Sequence, residues 1–234
     1  MTTAIILAGG LGSRLRSVVL DVPKPMAPIS NRPFLEYLLD YWIAQGINDF
    51  VISVGYRGEV ITQHFGNSYK NVNIEYVIEE NPLGTGGGLL LALKKVDQTT
   101  PFILLNGDTY FEVNLKALMD FSNEKDADWC FSLFKVDNNS RYMGMEVDEE
   151  GRVLSLKSKE SALTYLINGG VYLVKPQKLI DMGFTIGKKK SLEEEIFPNV
   201  LAADQRIYGK VFTGTFIDIG IPDDFFRAGS LLSE

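Results

Sequence analysis

Short apolar runs alternate with amphipathic segments along the first half of the chain. The run AIILA at residues 4–8 ends at two glycines, as buried parallel strands commonly do. The segment FLEYLLDYWIAQG then places apolar residues at helical spacing, and Gly46 follows as a candidate helix end. Repetition of strand, helix and strand predicts a mainly parallel sheet with helices on both faces.

The same alternation continues to about residue 108. DFVISVG predicts a second strand, and a helical stretch follows through Val60, Ile61 and Phe65. VNIEYVIEE alternates like a strand, TGGGLLLALKKV predicts a helix despite its glycines, and PFILLNGD predicts another fully apolar strand.

The second half has a different pattern, with strands joined by short turns. WCFSLFKV, GMEVDEEGRVLSLKS and LINGGVYLV predict antiparallel strands at about residues 129–175, with DEEG at a hairpin. SLEEEIFPNVLAA predicts a helix capped by Ser191 with Glu194 three residues on, and RIYGKVFTGTFIDIG predicts the last two strands. We therefore expect an α/β, Rossmann-like fold: a mixed, mainly parallel sheet flanked by helices, with a small antiparallel portion.

Composition and charge narrow the classes of partner. The chain has 234 residues and a net charge of -7, which argues against a nucleic-acid partner. The single cysteine excludes an internal disulfide, and the single histidine argues against a multi-histidine metal site. No apolar run reaches 18 residues and no signal-peptide pattern is present, so we expect no membrane association and a cytoplasmic location.

A glycine-rich turn with trailing cations follows the first predicted strand. Gly9, Gly10 and Gly12 can expose backbone N–H groups to an anion, and Arg14 adds a forked donor. Lys24 lies between two prolines on a stiffened segment. The segment matches neither the P-loop pattern nor GxGxxG. It predicts a phosphate site at the carboxyl edge of the sheet, the alternative being a tight turn with solvated arginines.

Two aspartates end apolar runs far apart in the sequence. Asp108 follows FILLNG, and Asp218 lies in TFIDIG. Two carboxylates together with phosphate oxygens suit Mg²⁺, which takes few protein ligands. Each aspartate alone is more simply a turn cap beside its glycine, but as a pair near the cationic turn they predict a Mg²⁺ site.

The motifs LAGGLGSRL, PKPM, NGD, INGG and DIGIPDD occur in this order and together resemble the nucleotidyltransferases that make nucleoside-diphosphate sugars. The resemblance implies that Arg14 contacts the phosphates, that Lys24 stabilises the α-phosphate in the transition state, and that Asp108 and Asp218 hold Mg²⁺. It also implies a set of nucleotide-binding residues in the opening segment: Leu7, Gly9, Gly10 and Gly12.

The segment NPLGTGGG matches the segment that runs alongside the base and ribose in members of this family. The resemblance therefore implies that Gly84 and Thr85 bind the nucleotide. The sequence of this segment is similar to that of family members that transfer a guanylyl group from GTP to a heptose or mannose 1-phosphate. A manno-heptose 1-phosphate is the acceptor implied by LRSVVLDVPKPMAPI, with mannose 1-phosphate as the chief alternative. An enzyme joining a uridine nucleotide to an amino sugar is a further alternative.

The sugar side is implied by matches in the second half. Lys159 matches a sugar-phosphate lysine, and Asn168 and Gly169 match a sugar-contacting turn. Departures from the family pattern occur at Ser158, Met143 and Ile221. The glutamates at 193–195 could supply a carboxylate for sugar hydroxyls, although a solvated helix face is the expected role.

The resemblance covers nearly the whole chain and implies one nucleotidyltransferase domain over residues 1–234. Residues 1–128 would be mainly nucleotide-binding and residues 129–234 mainly sugar-phosphate-binding. No pattern of a β-helix extension is present. The resemblance also allows a homodimer. A catalytically silent nucleotide-sensing subunit remains an alternative, which the presence of Lys24, Asp108 and Asp218 disfavours.

Overall fold

The structure is a computed structural model of the chain. It describes residues 2–10, 12, 15, 19, 22–137, 143–157, 165–203 and 205–232. Within these ranges every helix is too short or too polar to cross a lipid bilayer.

Strands and helices alternate through the described residues. The strands are β1 Thr3–Ala8, β2 Pro28–Ile29, β3 Arg32–Pro33, β4 Asp49–Val54, β5 Ser68–Tyr69, β6 Val72–Ile78, β7 Phe102–Asn106, β8 Thr109–Phe111, β9 Trp129–Val136, β10 Gly144–Val147, β11 Val153–Ser155, β12 Tyr165–Val174, β13 Ile207–Val211 and β14 Phe216–Asp218. The helices are α1 Phe34–Ala44, α2 Gly58–Phe65, α3 Gly84–Ala92, α4 Leu115–Glu124, α5 Pro176–Ile180, α6 Phe197–Ala202 and α7 Pro222–Leu232. Short 3₁₀ turns occupy Lys24–Met26 and Leu93–Lys95, and a π-helical turn occupies Leu192–Ile196.

Four parallel strands form the centre of the sheet, in the order β7, β1, β4, β6. In the register Leu7 of β1 pairs with Asn106 of β7 and with Ser53 of β4. The carboxyl ends of these strands therefore meet at one edge. The parallel sheet predicted from the apolar runs is confirmed.

The antiparallel strands continue this sheet. β12 pairs antiparallel with β7 and β9, β10 pairs with β12, and β13 adds to β9 in parallel. The predicted antiparallel portion and the hairpin at DEEG are confirmed, since β10 and β11 flank that turn. We expected these strands to lie against the main sheet, and they extend it because β12 is long enough to pair along both neighbours.

Successive side chains of β1 belong to two different cores. Ala4 and Ile6 are in one buried cluster and Ile5 is in the other, as a strand between two helical layers requires. Residues of α1, α2 and α4 pack in the first cluster, and residues of α3 and α6 pack in the second. The predicted apolar face of α1 is buried, and Gly46 follows the helix with a φ of 93°.

The segment after Ser191 departs from a regular helix. Its cap is as predicted, because the Ser191 hydroxyl accepts from the N–H of Glu194 at 3.1 Å. The first turn is π-helical, and α6 begins only at Phe197. Pro198 in the first turn of α6 has no N–H to donate to the preceding turn, which explains the break in the regular hydrogen-bond pattern.

A third, smaller cluster joins segments that are far apart in the sequence. It links the glycine-rich turn, the segment after Lys24, the start of α1, β14 and α7. Its buried members are Leu15, Ala27, Ile29, Phe34, Ile217, Ile219 and Ala228. The apolar contacts of this cluster bring the segments bearing Lys24 and Asp218 to one place.

Asp128, directly before β9, ties β9 to β13. Its carboxylate is 4% exposed and accepts from the backbone N–H of Arg206 at 3.0 Å and from the guanidinium Nη2 at 2.9 Å. Burial alone would raise the pKa of Asp128, but the hydrogen bonds from Arg206 outweigh it, so the pKa is lowered below its usual value.

We expect Asp128→Asn to lower the free energy of unfolding at neutral pH by about 1–3 kcal/mol, because Arg206 loses a charged acceptor. The folded-state pKa is depressed below an unfolded value of about 3.9. The difference in free energy of unfolding between wild type and variant is therefore complete above that pH and is lost as the pH falls through the folded-state pKa. Urea unfolding of both proteins across the acid range measures this difference.

Asp120→Asn is the control, because Asp120 and its partner Lys116 are both exposed. We expect this substitution to change the free energy of unfolding by less than about 0.5 kcal/mol. If the difference between wild type and Asp128→Asn stayed constant down to strongly acid pH, the assigned role of the Asp128 carboxylate would be wrong.

Candidate active site

A cleft of about 590 Å³ opens at the carboxyl edge of the parallel strands. Both halves of the chain contribute to its walls. The residues that line it are Leu7, Ala8, Gly9, Gly10, Gly12, Lys24, Pro25, Glu79, Pro82, Gly84, Thr85, Asn106, Gly107, Asp108, Thr109, Lys189, Glu193, Asp218 and Gly220. A cleft at this edge is where open α/β sheets bind their ligands.

Lys24 is held rigidly at one wall of this cleft. It begins the 3₁₀ turn Lys24–Met26, in which its carbonyl accepts from the N–H of Ala27 at 3.0 Å. Pro25 and Met26 are buried, and the Lys24 side chain is only 10% exposed. The two flanking prolines restrict the backbone, and the ion pair with Asp108 places the ammonium.

The Lys24 ammonium lies between the two predicted metal ligands. Its Nζ forms an ion pair with Asp108 Oδ2 and lies 3.6 Å from Asp218 Oδ1. The antiparallel pairing of β8 with β14 sets Asp218 opposite Thr109, and the N–H of Ile219 donates to the Asp108 carbonyl at 3.0 Å. This ladder brings together two aspartates that are 110 positions apart in the sequence.

The glycine-rich turn lies beside these charges. Leu7, Gly9, Gly10 and Gly12 all line the cleft, and Gly12 has a φ of 59°. Arg14, the predicted phosphate-contacting arginine, lies outside the described residues. Leu15 is buried in the third cluster, and a Cβ on Gly12 would lie 3.2 Å from the Lys24 Cβ, so Gly12 lies next to Lys24.

The start of α3 contacts a segment from the second half of the chain, residues 188–193, which we call the strap. The carbonyl of Lys190 accepts from the N–H groups of Gly86 and Gly87 at 2.9 and 3.2 Å, and its own N–H donates to the Leu83 carbonyl. Gly84 has a φ of 71°, and a Cβ there would lie 2.6 Å from the Lys190 carbonyl oxygen. The strap therefore occupies the N-terminus of α3, and it needs glycine there to approach.

Thr85 and Glu193 join α3 to the strap. The Thr85 hydroxyl donates to Glu193 Oε2 at 2.9 Å and accepts from the N–H of Leu192 at 2.9 Å. The Ser191 hydroxyl also donates to Glu193 Oε2, at 3.0 Å. A solvated helix face was expected for all three glutamates. Glu194 is exposed and Glu195 pairs with Lys190, but Glu193 lines the cleft.

Glu79 is a further cleft carboxylate, and sequence reasoning did not single it out. Its Oε1 accepts from the Ser53 hydroxyl and its Oε2 accepts from the N–H of Leu83, both at 2.9 Å. Any side chain on Gly9 would collide with this carboxylate. The signal was a polar residue directly after β6, at the same sheet edge as Asp108.

Asn168 and Gly169 lie within β12 near its register shift, not in a turn. Asn168 donates from Nδ2 to the Tyr172 hydroxyl at 2.8 Å. Burial and the charges of Glu193 and Asp108 raise the pKa of Tyr172 far above its usual value. Neither Asn168 nor Gly169 is among the residues lining the cleft. Lys159, the predicted sugar-phosphate lysine, lies outside the described residues.

The described walls of the cleft carry more negative than positive charge. They hold four carboxylates, of Glu79, Asp108, Glu193 and Asp218, and two ammonium groups, of Lys24 and Lys189. A triphosphate in such a cleft needs added positive charge. Asp108 and Asp218 are partly exposed, 39% and 31%, and present the oxygen donors that a hard divalent cation prefers. Their chemistry therefore fits a divalent metal whose remaining ligands are phosphate oxygens and water.

Comparison with known proteins gives consistent results. A family model described as "Nucleotidyl transferase" matches residues 3–234. A D-glycero-alpha-D-manno-heptose 1-phosphate guanylyltransferase of Aneurinibacillus thermoaerophilus is 40% identical, over 96% of both chains. A mannose-1-phosphate guanylyltransferase of Mycobacterium tuberculosis is 37% identical, over 97% of this chain and 63% of that protein.

The crystal structure of HddC from Yersinia pseudotuberculosis complexed with GMP-PN superposes with a TM-score of 0.85 at 35% identity, covering 99% of both chains. The fold similarity and the sequence similarity thus extend over the same residues, those that form the sheet and the cleft. Since the family model spans nearly the entire sequence, the chain belongs to the nucleotidyl transferase family.

Proposed function

We propose that this enzyme transfers a guanylyl group from GTP to D-glycero-α-D-manno-heptose 1-phosphate, releasing pyrophosphate. The observation that carries the proposal is the arrangement of Lys24 between Asp108 and Asp218 at the carboxyl edge of the sheet. This arrangement suits charge neutralisation at a phosphorus under attack. The relatives named above act on a heptose or a mannose 1-phosphate, and the heptose relative matches over 96% of its length.

The chemistry requires positioning more than covalent help from side chains. A phosphate oxygen of the sugar 1-phosphate, already anionic, forms a bond to the α-phosphorus of GTP while the bond to the β-phosphate oxygen breaks in line. Lys24 lies on a stiffened turn at the cleft wall and is nearly buried, so the fold itself provides its positive charge close to the α-phosphate. The glycine turn with Leu7, Gly9, Gly10 and Gly12 cradles the nucleotide, and Arg14 contacts its phosphates.

Asp108 and Asp218 are the residues that would hold the metal, for which we propose Mg²⁺. When bound there, the ion supplies neutralisation of phosphate charge that the acidic cleft lacks. The hydrogen bond from the Gly220 N–H to Asp218 Oδ1 at 2.7 Å orients that carboxylate for the task. Lys159, Asn168 and Gly169 remain the proposed contacts of the sugar phosphate, and Gly84 and Thr85 remain proposed nucleotide contacts.

The position of the Glu79 carboxylate favours guanine as the base of the bound nucleotide. A carboxylate only accepts hydrogen bonds, and guanine presents adjacent N1–H and 2-amino donors on one edge. The Ser53 hydroxyl and the Leu83 N–H hold the Glu79 carboxylate in a fixed orientation beside Gly9. Two oxygens with about four lone-pair positions keep capacity for two further donors. Adenine presents an acceptor at N1 beside its single 6-amino donor, so only one of the two carboxylate oxygens would gain a hydrogen bond.

The test is pyrophosphate release with Mg²⁺ across a grid of nucleoside triphosphates and sugar 1-phosphates. We expect turnover with GTP and the manno-heptose 1-phosphate to exceed every other pair. GTP with mannose 1-phosphate as the better acceptor would instead establish the second candidate, which the mycobacterial relative favours. Folded protein that binds nucleotide and turns over no pair would overturn the catalytic proposal in favour of nucleotide sensing.

Lys24→Ala should lower kcat by about a hundredfold or more, because the transition state loses a preorganised cation. Nucleotide affinity, measured by calorimetry, should stay within about threefold, since the glycine turn is intact. Lys116→Ala, which removes a side chain that is 83% exposed, is the control and should behave as wild type. Unchanged turnover in Lys24→Ala would refute the role given to Lys24.

Glu79→Gln should lower kcat/KM for GTP by about tenfold or more while leaving kcat/KM for ATP unchanged or higher, because the amide cannot accept both guanine donors. Glu80→Gln, an exposed neighbour, is the matched control. An equal loss with both nucleotides would mean that Glu79 only supports the fold through Ser53 and Leu83.

A further inference from the structure

We propose that Glu193 is a substrate-binding residue, whose carboxylate accepts hydrogen bonds from ring hydroxyl groups in the cleft. The proposal rests on the proposed function for the identity of the two substrates. It adds a contact to that function, because Glu193 comes from the strap and not from the segments that carry Lys24, Asp108 and Asp218.

The first argument is the way in which the Glu193 carboxylate is oriented. Its Oε2 accepts from the hydroxyls of both Thr85 and Ser191, at 2.9 and 3.0 Å. Within the described part of the chain, Oε1 accepts no hydrogen bond. One oxygen is therefore fixed by the protein, and the other keeps both of its lone pairs for a ligand.

The second argument is the energetic cost of this arrangement. Glu193 is partly buried in a cleft that already holds three other carboxylates, and it has no cationic partner among the described residues. By contrast, Glu195 on the same turn pairs with Lys190 at 2.9 Å. A part-buried carboxylate with an open oxygen gains hydrogen bonds when a donor-bearing ligand enters.

The third argument excludes the other groups of the substrates. Phosphate oxygens are acceptors and carry negative charge, so they are repelled by Glu193. The guanine donors are matched by Glu79, whose hydrogen-bond partners Ser53 and Leu83 differ from those of Glu193. The remaining donors are hydroxyls, on the ribose of GTP or on the acceptor sugar. Both are polyols, and the two lone pairs of Oε1 match one pair of neighbouring hydroxyls.

The structural role of Glu193 can be separated from this contact. In Glu193→Gln the side-chain carbonyl oxygen still accepts from Thr85 and Ser191, so the strap stays docked, while the second oxygen becomes an NH₂ group. The backbone bonds of Lys190 to α3 do not involve the Glu193 side chain. Glu194→Gln, at the exposed neighbour, is the matched control.

The experiment pairs each protein with full and hydroxyl-deleted substrates. Steady-state kinetics are measured with GTP, 2′-deoxy-GTP and 3′-deoxy-GTP, and with the sugar 1-phosphate and its monodeoxy analogues. We expect Glu193→Gln to lower kcat/KM about tenfold or more for one full substrate, equivalent to about 1.4 kcal/mol. The analogue lacking the contacted hydroxyl should lose nothing further in the variant, as coupling between the two deletions requires.

The two arms identify the source of the hydroxyls. Coupling with a deoxynucleotide places the ribose at Glu193, and coupling with a deoxy sugar places the acceptor there. An equal loss with every substrate and analogue, or no loss with any, would overturn the proposal and leave Glu193 as a brace for the strap. Thermal unfolding of Glu193→Gln within a degree or two of Glu194→Gln keeps that comparison valid.

A binding measurement tests the Glu193 contact even if the proposed catalytic function is wrong. If the wild type turns over no substrate pair, calorimetry with GTP, the deoxynucleotides, the sugar 1-phosphate and its analogues provides the same coupling as ratios of Kd. A tenfold weaker Kd for one full ligand in Glu193→Gln would then support the hydroxyl contact without catalysis. Equal Kd values for wild type and variant would overturn it.

Discussion

The ion pair of Lys24 with Asp108, with Asp218 beside it, is the interaction on which the chemistry of this enzyme depends. Two carboxylates close together repel each other, and a single nearly buried ammonium makes their approach favourable. The ladder of β8 and β14 and the third apolar cluster together fix the segments that carry these groups. The site lies at the carboxyl edge of the sheet, and the third cluster positions the segments that lie there.

Three of the parallel strands, β1, β4 and β7, were predictable because their apolar runs are buried on both faces and end at glycine or polar residues, and β6 was predictable from its alternation. The same rule predicts that Asp108 and the glycine turn share one edge of the sheet. The continuation of the sheet into β12, β9 and β13 was not predictable, because alternation within a strand does not state which strand it pairs with. The register in which β12 pairs with β9 shifts between Asn168 and Tyr172, and sequence alternation does not indicate this shift either.

The sequence analysis did not single out Glu79 and offered Glu193 only as one of three candidate glutamates, for the same physical reason. A glutamate after a strand, or a run of glutamates at a helix start, has the local pattern of a solvated surface. What distinguishes Glu79 is the Ser53 hydroxyl from a neighbouring strand, and what distinguishes Glu193 is the Thr85 hydroxyl 108 positions away. Both depend on tertiary contacts. The positions of Arg14 and Lys159 lie outside the described residues, so their roles stay predictions.

The docking of the strap on α3 also changes how the glycine-rich start of that helix is understood. A helix N-terminus normally attracts anions, but here the carbonyl of Lys190 already satisfies the N–H groups of Gly86 and Gly87. This contact is made by main-chain atoms, so it places no demand on the side chains at positions 188 and 189. Main-chain bonds thus close this wall of the cleft, and the side chains of Lys189 and Glu193 on the same strap line it.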